Sequence, residues 1–210
     1  MIIIGAGGHA REVLDILPET FTPENLFFYD DLNPYANPYL FSYRILQTPE
    51  EVKSVFTRDP FFILGIGGPS IRKMLSDKFI RLGGKPATMI ASSAQVSRRV
   101  KHLGEGVTVM HAAFISADTS ICEGALINHG AVIHHDSRIG VFTEIAPLAV
   151  ITGHVKIGDY SFIGANATVL PDLTVGSYVI VGAGAVVTRN IPDNTVVTGI
   201  PAKTAKKQEP

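Results

Sequence analysis

The chain has 210 residues, of which 46% are hydrophobic and 18% charged, so it is rich enough in apolar side chains to fold and is not a disordered chain. Eighteen basic and nineteen acidic residues give a formal net charge of −1, which argues against nucleic-acid binding as the main role, because such domains are usually basic. The single cysteine, Cys122, excludes an intrachain disulfide and a cysteine-rich zinc site.

The first 88 residues alternate strand-like and helix-like patterns. Apolar runs predict strands at Met1–Ile4, Leu26–Tyr29 and Phe61–Leu64, and a polar, proline-containing loop follows the second. Helices are predicted after the first strand and from Pro69 to about Leu82. This alternation indicates an α/β domain with a small Rossmann-like parallel sheet. Because no basic region precedes the first strand and no run of about eighteen apolar residues occurs, we expect a cytoplasmic protein without membrane insertion.

The turns that follow these strands suggest a ligand site, because ligands of parallel sheets bind beyond the carboxyl ends of the strands. Gly5-x-Gly7-x-x-Ala10 is a reduced dinucleotide fingerprint, in which glycines let a phosphate approach the start of a helix. Fewer than ninety residues leave room for one nucleotide rather than NAD. An alternative is that His9 only caps the helix and that Asp30-Asp31, after the second strand, only form a turn. The candidate substrate-binding residues are Gly7, Gly8, His9, Asp30, Asp31, Gly65, Ile66 and Gly67.

From about residue 90 onward, the sequence repeats with a period of six. Every sixth residue from Leu103 to Val187 is Leu, Ile or Val, fifteen positions in all. This period is not helical, and it predicts a parallel β-helix in which three hexads form one triangular coil of about eighteen residues. Glycine often follows the repeated position, as at Gly140 and Gly158, where we expect a corner that needs a permissive backbone.

The hexad rule resembles the left-handed β-helix of hexapeptide-repeat acyltransferases. Further segments, namely Gly5-Ala6-Gly7-Gly8-His9, Asp30-Asp31 and Ile200-Pro201-Ala202-Lys203, resemble the sugar acetyltransferases of the sialic-acid O-acetyltransferase and bacillosamine N-acetyltransferase group. The resemblance implies a nucleotide-sugar-binding domain at residues 1–88, a left-handed β-helix acyltransferase domain at 89–203 and a C-terminal tail at 204–210. It also implies a homotrimer that binds acetyl-CoA between neighbouring β-helices and a UDP- or GDP-linked sugar in the first domain.

Stacking of coils predicts the catalytic residues. Because residue n lies below residue n+18, His135 is expected below Gly153, whose missing side chain leaves room above the imidazole. His135 could remove a proton from the acceptor, and the Gly153 N–H could hold the oxyanion. The resemblance implies that Asp136, the acidic residue after the base, is its partner. Asp136 has Asp118 below and His154 above, so His154 could compete for its carboxylate. A solvated corner histidine is the alternative reading of His135.

The expected acetyl-CoA contacts are Glu144, Gly153, Ala165 and Ala183. In the family a histidine commonly stands nine residues after the base, and this chain has Glu144 there. The small residues Ala165 and Ala183 are expected on the same flank as Gly153, where they would leave a channel for the pantetheine arm.

The interpretation is an acetyl-CoA-dependent acetyltransferase that acts, without a metal, on the amino group of a nucleotide-linked amino sugar for bacterial-type surface glycan synthesis. One alternative is O-acetylation of a sialic-acid-like sugar. Another is a non-catalytic trimeric nucleotide-sugar-binding scaffold. A third is a metal-dependent β-helix lyase, because His111 and His129 lie eighteen residues apart and should stack, although no third ligand is evident.

Overall fold

The computed structural model describes residues 1–33 and 37–207, and side chains up to residue 205. The elements of the first part of the chain are β1 (Ile2–Ile4), α1 (Gly8–Asp15), β2 (Phe27–Tyr29), β3 (Tyr39–Leu40), β4 (Tyr43–Leu46), α2 (Pro49–Phe56), β5 (Phe61–Leu64), α3 (Pro69–Arg81) and β6 (Lys85–Pro86). The six strands form one sheet in the order β3-β4-β2-β1-β5-β6, parallel except for the β3–β4 pair, and the three helices connect its strands. Within the described ranges, no helix is long and apolar enough to cross a membrane.

The three predicted strands and two predicted helices are confirmed, and the fold adds elements in the segment that was interpreted as a loop. Strand β4 pairs with β2, and helix α2 follows it. Thr48 is the N-cap of α2 and forms a capping box with Glu51, and Pro49 occupies the first turn. The Thr-Pro-Glu-Glu sequence was therefore a helix-start signal that the loop interpretation missed.

The second part of the chain forms a parallel β-helix of short strands. Each strand from β7 to β23 contains two residues, and two longer strands end the described chain. The strands are β7 (Met89–Ile90), β8 (Gln95–Val96), β9 (His102–Leu103), β10 (Thr108–Val109), β11 (Phe114–Ile115), β12 (Ser120–Ile121), β13 (Leu126–Ile127), β14 (Val132–Ile133), β15 (Arg138–Ile139), β16 (Glu144–Ile145), β17 (Val150–Ile151), β18 (Lys156–Ile157), β19 (Phe162–Ile163), β20 (Thr168–Val169), β21 (Thr174–Val175), β22 (Ile180–Val181), β23 (Val186–Val187), β24 (Thr195–Thr198) and β25 (Lys203–Lys207).

The strands form three faces. Face 1 contains β7, β10, β13, β16, β19, β22, β24 and β25; face 2 contains β8, β11, β14, β17, β20 and β23; face 3 contains β9, β12, β15, β18 and β21. The aliphatic residue of every predicted hexad is the second residue of a strand and points into the core. Ser120 pairs with Arg138, eighteen residues on, as predicted. The first coil is one residue longer, because Val96 pairs with Ile115. The predicted repeat is thereby confirmed.

The glycines that follow the aliphatic positions have a different role from the one expected. Gly140 and Gly158 do not have positive φ, but a Cβ on either would lie 2.5 Å from backbone atoms of the next coil. They are required for the close approach of coils. The positive φ occurs two residues later, at Phe142 (51°) and Tyr160 (54°), where the chain turns without glycine.

A buried arginine connects the two parts of the chain. Arg72, in α3, is 0% exposed and donates from Nη1 to the carbonyl oxygens of Leu64 (3.2 Å) and Ile66 (2.8 Å). Its Nη2 donates to Gly124 O on the β-helix, at 3.1 Å. Burial lowers the pKa of Arg72 to about 10, and the nearby Glu144 carboxylate opposes that change. Arg72 therefore holds the loop after β5 against the β-helix.

Replacing Arg72 by leucine is expected to lower the free energy of unfolding by roughly 3 kcal/mol or more, because three carbonyl groups lose their donor. Urea unfolding at one fixed protein concentration measures this. Arg81→Leu, at the exposed end of the same helix, is the control and is expected to be close to neutral. A loss for Arg72→Leu below about 1 kcal/mol would contradict this role.

Candidate active site

His135 and Gly153 lie one above the other at the corner between faces 2 and 3, here called corner 2–3. The backbone of this corner is held by hydrogen bonds between coils, including His154 N–H to His135 O at 3.0 Å. A Cβ on Gly153 would lie 2.8 Å from Cε1 and 2.9 Å from Nε2 of His135. The imidazole therefore lies directly against Gly153, and only glycine leaves it this space.

The backbone N–H and the backbone carbonyl of Gly153 differ in their hydrogen bonding. Gly153 is buried, and its carbonyl accepts a hydrogen bond from Asp172 N–H at 3.2 Å. Among the described residues, none accepts a hydrogen bond from the Gly153 N–H. A buried donor without a partner is uncommon, and beside an imidazole it is placed to bind an oxygen that gains negative charge.

Asp136 orients His135. The His135 Nδ1 and Asp136 Oδ2 atoms are 2.9 Å apart, so an Nδ1–H tautomer donates to the carboxylate and leaves the Nε2 lone pair towards Gly153. The hydrogen bond from His135 is the largest of the effects that lower the pKa of Asp136, and the charges of His154 and Lys101 act in the same direction. The Asp136 carboxylate therefore stays ionised from neutral pH down to well below it.

His154 and Lys101 share the same carboxylate. His154 Nε2 lies 3.7 Å from Asp136 Oδ2, and its ring is nearly perpendicular to that of His135, with centroids 5.3 Å apart. Lys101 Nζ lies 3.8 Å from Asp136 Oδ1 and 3.4 Å from Asp118 Oδ1. The predicted stacking of Asp118, Asp136 and His154 is observed. Lys101 was missed, because it comes from an irregular corner where the six-residue period does not predict position.

The predicted glycine turn lies at the start of α1. Gly7 is the N-cap, and the space beside Gly7 and Gly8 is open, since a Cβ on either would contact nothing within 4 Å. His9 makes no capping hydrogen bond, so the capping alternative is wrong. Its Nδ1 lies 3.0 Å from Glu12 Oε2, and its Nε2 is buried without a hydrogen-bond partner.

The acidic pair after β2 has two different environments. Asp30 accepts hydrogen bonds from the N–H groups of Leu32 and Asn33, as the turn-forming alternative requires. Asp31 accepts from Tyr29 Oη at 2.8 Å and pairs with Lys78 Nζ at 2.7 Å. Burial raises the pKa of Asp31, but the hydrogen bonds from Lys78 and Tyr29 outweigh it, and the net change is downward.

The loop after β5 is held from both sides. A Cβ on Gly65 would lie 2.8 Å from Ala10 Cβ, so glycine is required there for packing against α1. The carbonyl of Ile66 accepts a hydrogen bond from Arg72. Gly67 faces the Glu144 carboxylate, since a Cβ on Gly67 would lie 3.3 Å from Glu144 Oε2. This loop and the turn at Gly7 are neighbours at the carboxyl edge of the sheet.

Three of the four expected acetyl-CoA contacts lie away from corner 2–3. Glu144 is on face 1, is 6% exposed and accepts from Gly68 N–H at 2.8 Å, so its carboxylate faces the first part of the same chain. Ala165 and Ala183 follow face 1 strands, at the corner between faces 1 and 2, here called corner 1–2. The expectation that they share a flank with Gly153 is wrong, because they lie twelve and thirty residues after it, and neither separation is a whole number of eighteen-residue coils.

His111 and His129 stack at corner 1–2, with ring centroids 6.1 Å apart. His111 Nδ1 lies 2.7 Å from Ser93 Oγ, and His129 Nε2 lies 3.8 Å from Glu12 Oε2 in α1. Sequence reasoning missed Glu12, since nothing local marks a contact between α1 and the β-helix. The candidate metal-ligand cluster in the described chain is not here but at His135, Asp136 and His154.

Two family models match the chain. The PglD N-terminal domain matches residues 1–79, and the bacterial transferase hexapeptide (six repeats) matches residues 136–170 and 154–189. No curated protein matches.

Solved structures match almost the whole chain. PerB from Caulobacter crescentus, in complex with CoA and GDP-perosamine, is 32% identical with a TM-score of 0.84, and the match covers 98% of this chain and 96% of that one. The acetyltransferase domain of PglB from Neisseria gonorrhoeae is 30% identical with a TM-score of 0.86, covering 97% and 98%. WeeI from Acinetobacter baumannii is 26% identical with a TM-score of 0.85, covering 97% and 100%. The chain, with its α/β domain and left-handed hexapeptide β-helix, therefore belongs to the sugar acetyltransferases of the bacillosamine and perosamine group.

Proposed function

We propose that this protein transfers the acetyl group of acetyl-CoA to the amino group of a nucleotide-linked amino sugar, in the cytoplasm, for surface glycan synthesis. The observation that carries the proposal is the His135 imidazole, which lies against Gly153 and is held by Asp136. PerB, which is 32% identical, was solved with CoA and GDP-perosamine, and a related structure is named perosamine N-acetyltransferase. These relatives favour an amine over a hydroxyl acceptor.

In the proposed mechanism, transfer is direct. The amine nitrogen attacks the thioester carbonyl while His135 Nε2 takes its proton, and Asp136 stabilises the imidazolium that forms. The Gly153 N–H donates to the carbonyl oxygen as it becomes negative. When the tetrahedral intermediate collapses, the C–S bond breaks and the thiolate leaves, and the proton on His135 passes to the sulfur. The products are the sugar amide and CoA.

The first domain is proposed to bind the nucleotide diphosphate at the start of α1. The open space beside Gly7 and Gly8 lets phosphate oxygens approach the N–H groups of the helix terminus. The buried, unpartnered Nε2 of His9 is a polar atom that a bound phosphate or sugar would satisfy. Gly65, Ile66 and Gly67 form the opposite wall. Asp30 and Asp31 have partners within the chain, so their proposed role is in shaping the turn beside the ligand as well as in accepting from it.

The outward residues of face 2 support a homotrimer. Beyond Gln95 in the first strand, they are Phe114, Val132, Val150, Thr168 and Val186, whereas face 3 presents His102, Ser120, Arg138, Lys156 and Thr174. A row of apolar and β-branched side chains on one face, beside a polar row on the next, supports the proposal that another copy covers face 2.

A three-fold axis beside face 2 would place corner 2–3 of one chain against corner 1–2 of the next. Acetyl-CoA could then lie between His135 and Gly153 of one chain and Ala165 and Ala183 of its neighbour, although these residues are apart within one chain. The same arrangement would bring the start of α1, which contacts His129 at corner 1–2, towards the neighbour's His135. The proposed active site is therefore completed between two chains.

The variant Val150→Glu is expected to dissociate the trimer, because three carboxylates would be buried near one axis. Lys156→Glu, at the equivalent outward position of face 3, is the matched control and should remain trimeric. Sedimentation of both variants measures the assembly. Equal masses for the two variants would show that face 2 is not the interface.

The pH profile of kcat is expected to report on His135 rather than on Asp136. The pKa of Asp136 is lowered, so its carboxylate stays ionised as the pH falls from 8 to 5 and its protonation does not cause the acid limb. In His154→Ala, the Asp136 carboxylate is no longer shared with a second imidazole, and the acid limb should move to higher pH. Superimposable profiles would remove His154 from the mechanism.

The test of the proposed function is a panel of UDP- and GDP-linked 4-amino sugars and free sialic acid, incubated with acetyl-CoA and analysed by mass spectrometry. We expect one acetyl group on the amine of a nucleotide-linked sugar, with release of an equivalent of CoA. Acetylation of a hydroxyl group alone would replace the proposal with O-acetylation. Tight binding of a nucleotide sugar without any transfer would instead indicate the scaffold.

A further inference from the structure

We propose that His135, Asp136 and His154 form a Zn²⁺ site, and that zinc bound there blocks the base. One ring nitrogen of each histidine and one carboxylate oxygen of Asp136 lie within 4.8 Å of one another. Zinc binding itself depends only on this geometry, whereas its inhibitory effect rests on the proposed function.

The spacing of the three side chains suits zinc. Tetrahedral coordination with bonds of roughly 2.0–2.1 Å places ligand atoms about 3.3 Å apart. The Asp136 Oδ2 atom lies 2.9 Å from His135 Nδ1 and 3.7 Å from His154 Nε2, so these two separations bracket that value, and the two histidine nitrogens lie within 4.8 Å of each other. Two imidazoles and a carboxylate leave one position of the tetrahedron for water. Small rotations of exposed side chains are sufficient to complete the site.

The three side chains can rotate without disturbing the fold. Their exposed fractions are 55% for His135, 37% for Asp136 and 57% for His154. The backbone at this corner is independently held by the hydrogen bonds between coils, including His154 N–H to His135 O. The positive charge of Lys101, which lies 3.8 Å from Asp136, disfavours a cation at the same carboxylate. Lys101 also lies 3.4 Å from Asp118, so it can stay paired with Asp118 when zinc binds.

Competing ligands elsewhere in the described chain are weaker. Burial raises the pKa of the Cys122 thiol, which disfavours the thiolate that zinc would take. The rings of His111 and His129 stack 6.1 Å apart, and the Glu12 oxygen near His129 is shared with His9.

Zinc at this site would remove the base whichever nitrogen of His135 it takes. A neutral imidazole has one lone pair and one N–H. If zinc takes Nδ1, the proton resides on Nε2, and if zinc takes Nε2, the metal occupies the position of the acceptor. In both cases no lone pair remains to accept a proton from the amine. Zinc is therefore an inhibitor of this enzyme and not a cofactor.

The test is zinc titration of metal-stripped protein in competition with a chromophoric chelator. We expect one Zn²⁺ per chain. His154→Asn removes a direct ligand and should weaken zinc affinity by more than roughly tenfold, because losing a group that only hydrogen-bonds to a ligand already costs about that much. The matched control His102→Asn removes an exposed histidine of face 3 and should bind zinc as the parent does. Equal affinity of His154→Asn and the parent would overturn the site, as would absence of stoichiometric binding.

Inhibition is measured separately, by mass gain of the sugar rather than by thiol detection, because zinc binds thiols. Zinc should inhibit acetyl transfer by the parent at the concentration that fills the site, and a chelator should restore it. If zinc fills the site and transfer continues, the inhibitory role is wrong. If no acceptor is ever acetylated but the titration behaves as expected, the proposed function fails while the zinc site stands.

Discussion

His135→Asn is expected to lower kcat for acetyl transfer roughly 10²–10⁴-fold, the range that a general base contributes. The amide of asparagine has no basic nitrogen, so the amine must lose its proton without assistance. KM for both substrates and the thermal midpoint should change little, because the His135 side chain is 55% exposed and supports no core packing. Steady-state rates from mass gain of the sugar measure the effect.

The control for this variant is His134→Asn. His134 is adjacent in the chain, but its ring lies beside Phe114, with centroids 6.3 Å apart, rather than below Gly153. It should retain turnover close to that of the parent. If His135→Asn also stays within about twofold of the parent, His135 is not the base.

Gly153→Ala is expected to reduce kcat by roughly 10²-fold, since a displacement of about 1 Å at a reacting group can cost that much. The added methyl group would lie 2.8 Å from Cε1 and 2.9 Å from Nε2 of His135, so the imidazole must move. Gly153 does not have positive φ, and Ala117 occupies the same position two coils below, so the backbone accepts alanine. The loss should therefore occur in kcat and not in stability.

Pro171→Ala is the matched control for Gly153→Ala. Pro171 occupies the same position one coil above Gly153, away from the imidazole, and should be replaceable without loss of rate. Comparison of kcat and thermal midpoints for the two variants separates a local effect on His135 from a general effect on the corner. Full activity in Gly153→Ala would mean that the space above His135 is not needed.

The β-helix could be predicted from sequence because its signal is repeated. Each coil reproduces the aliphatic positions, so Leu103 and Val187 belong to one pattern that a single substitution would not hide. Stacking then follows from arithmetic, and the positions of His135, Gly153 and His154 relative to one another were predicted correctly.

The errors have a different origin. Ala165 and Ala183 were assigned to the flank of Gly153 although twelve residues move the chain by two faces. Helix α2 was missed because no repeat marks it, although Thr48 and Glu51 carried a local capping signal.

Contacts between distant segments could not be predicted. Arg72 donates a hydrogen bond to Gly124, fifty-two residues away, and Glu144 accepts one from Gly68, seventy-six residues away. No periodicity links these positions. Lys101 reaches Asp136 from the first coil, which is one residue longer than the regular repeat. These residues connect the two parts of the chain or adjust charge at the site, and their roles depend on tertiary packing alone.

A crystal structure with CoA and the nucleotide-linked amino sugar tests the central claim most directly. We expect the sugar amine within roughly 2.6–3.2 Å of His135 Nε2, with the thiol sulfur of CoA beside the Gly153 N–H. An amine bound at another corner of the β-helix, or a Gly153 N–H turned away from the CoA sulfur, would contradict it.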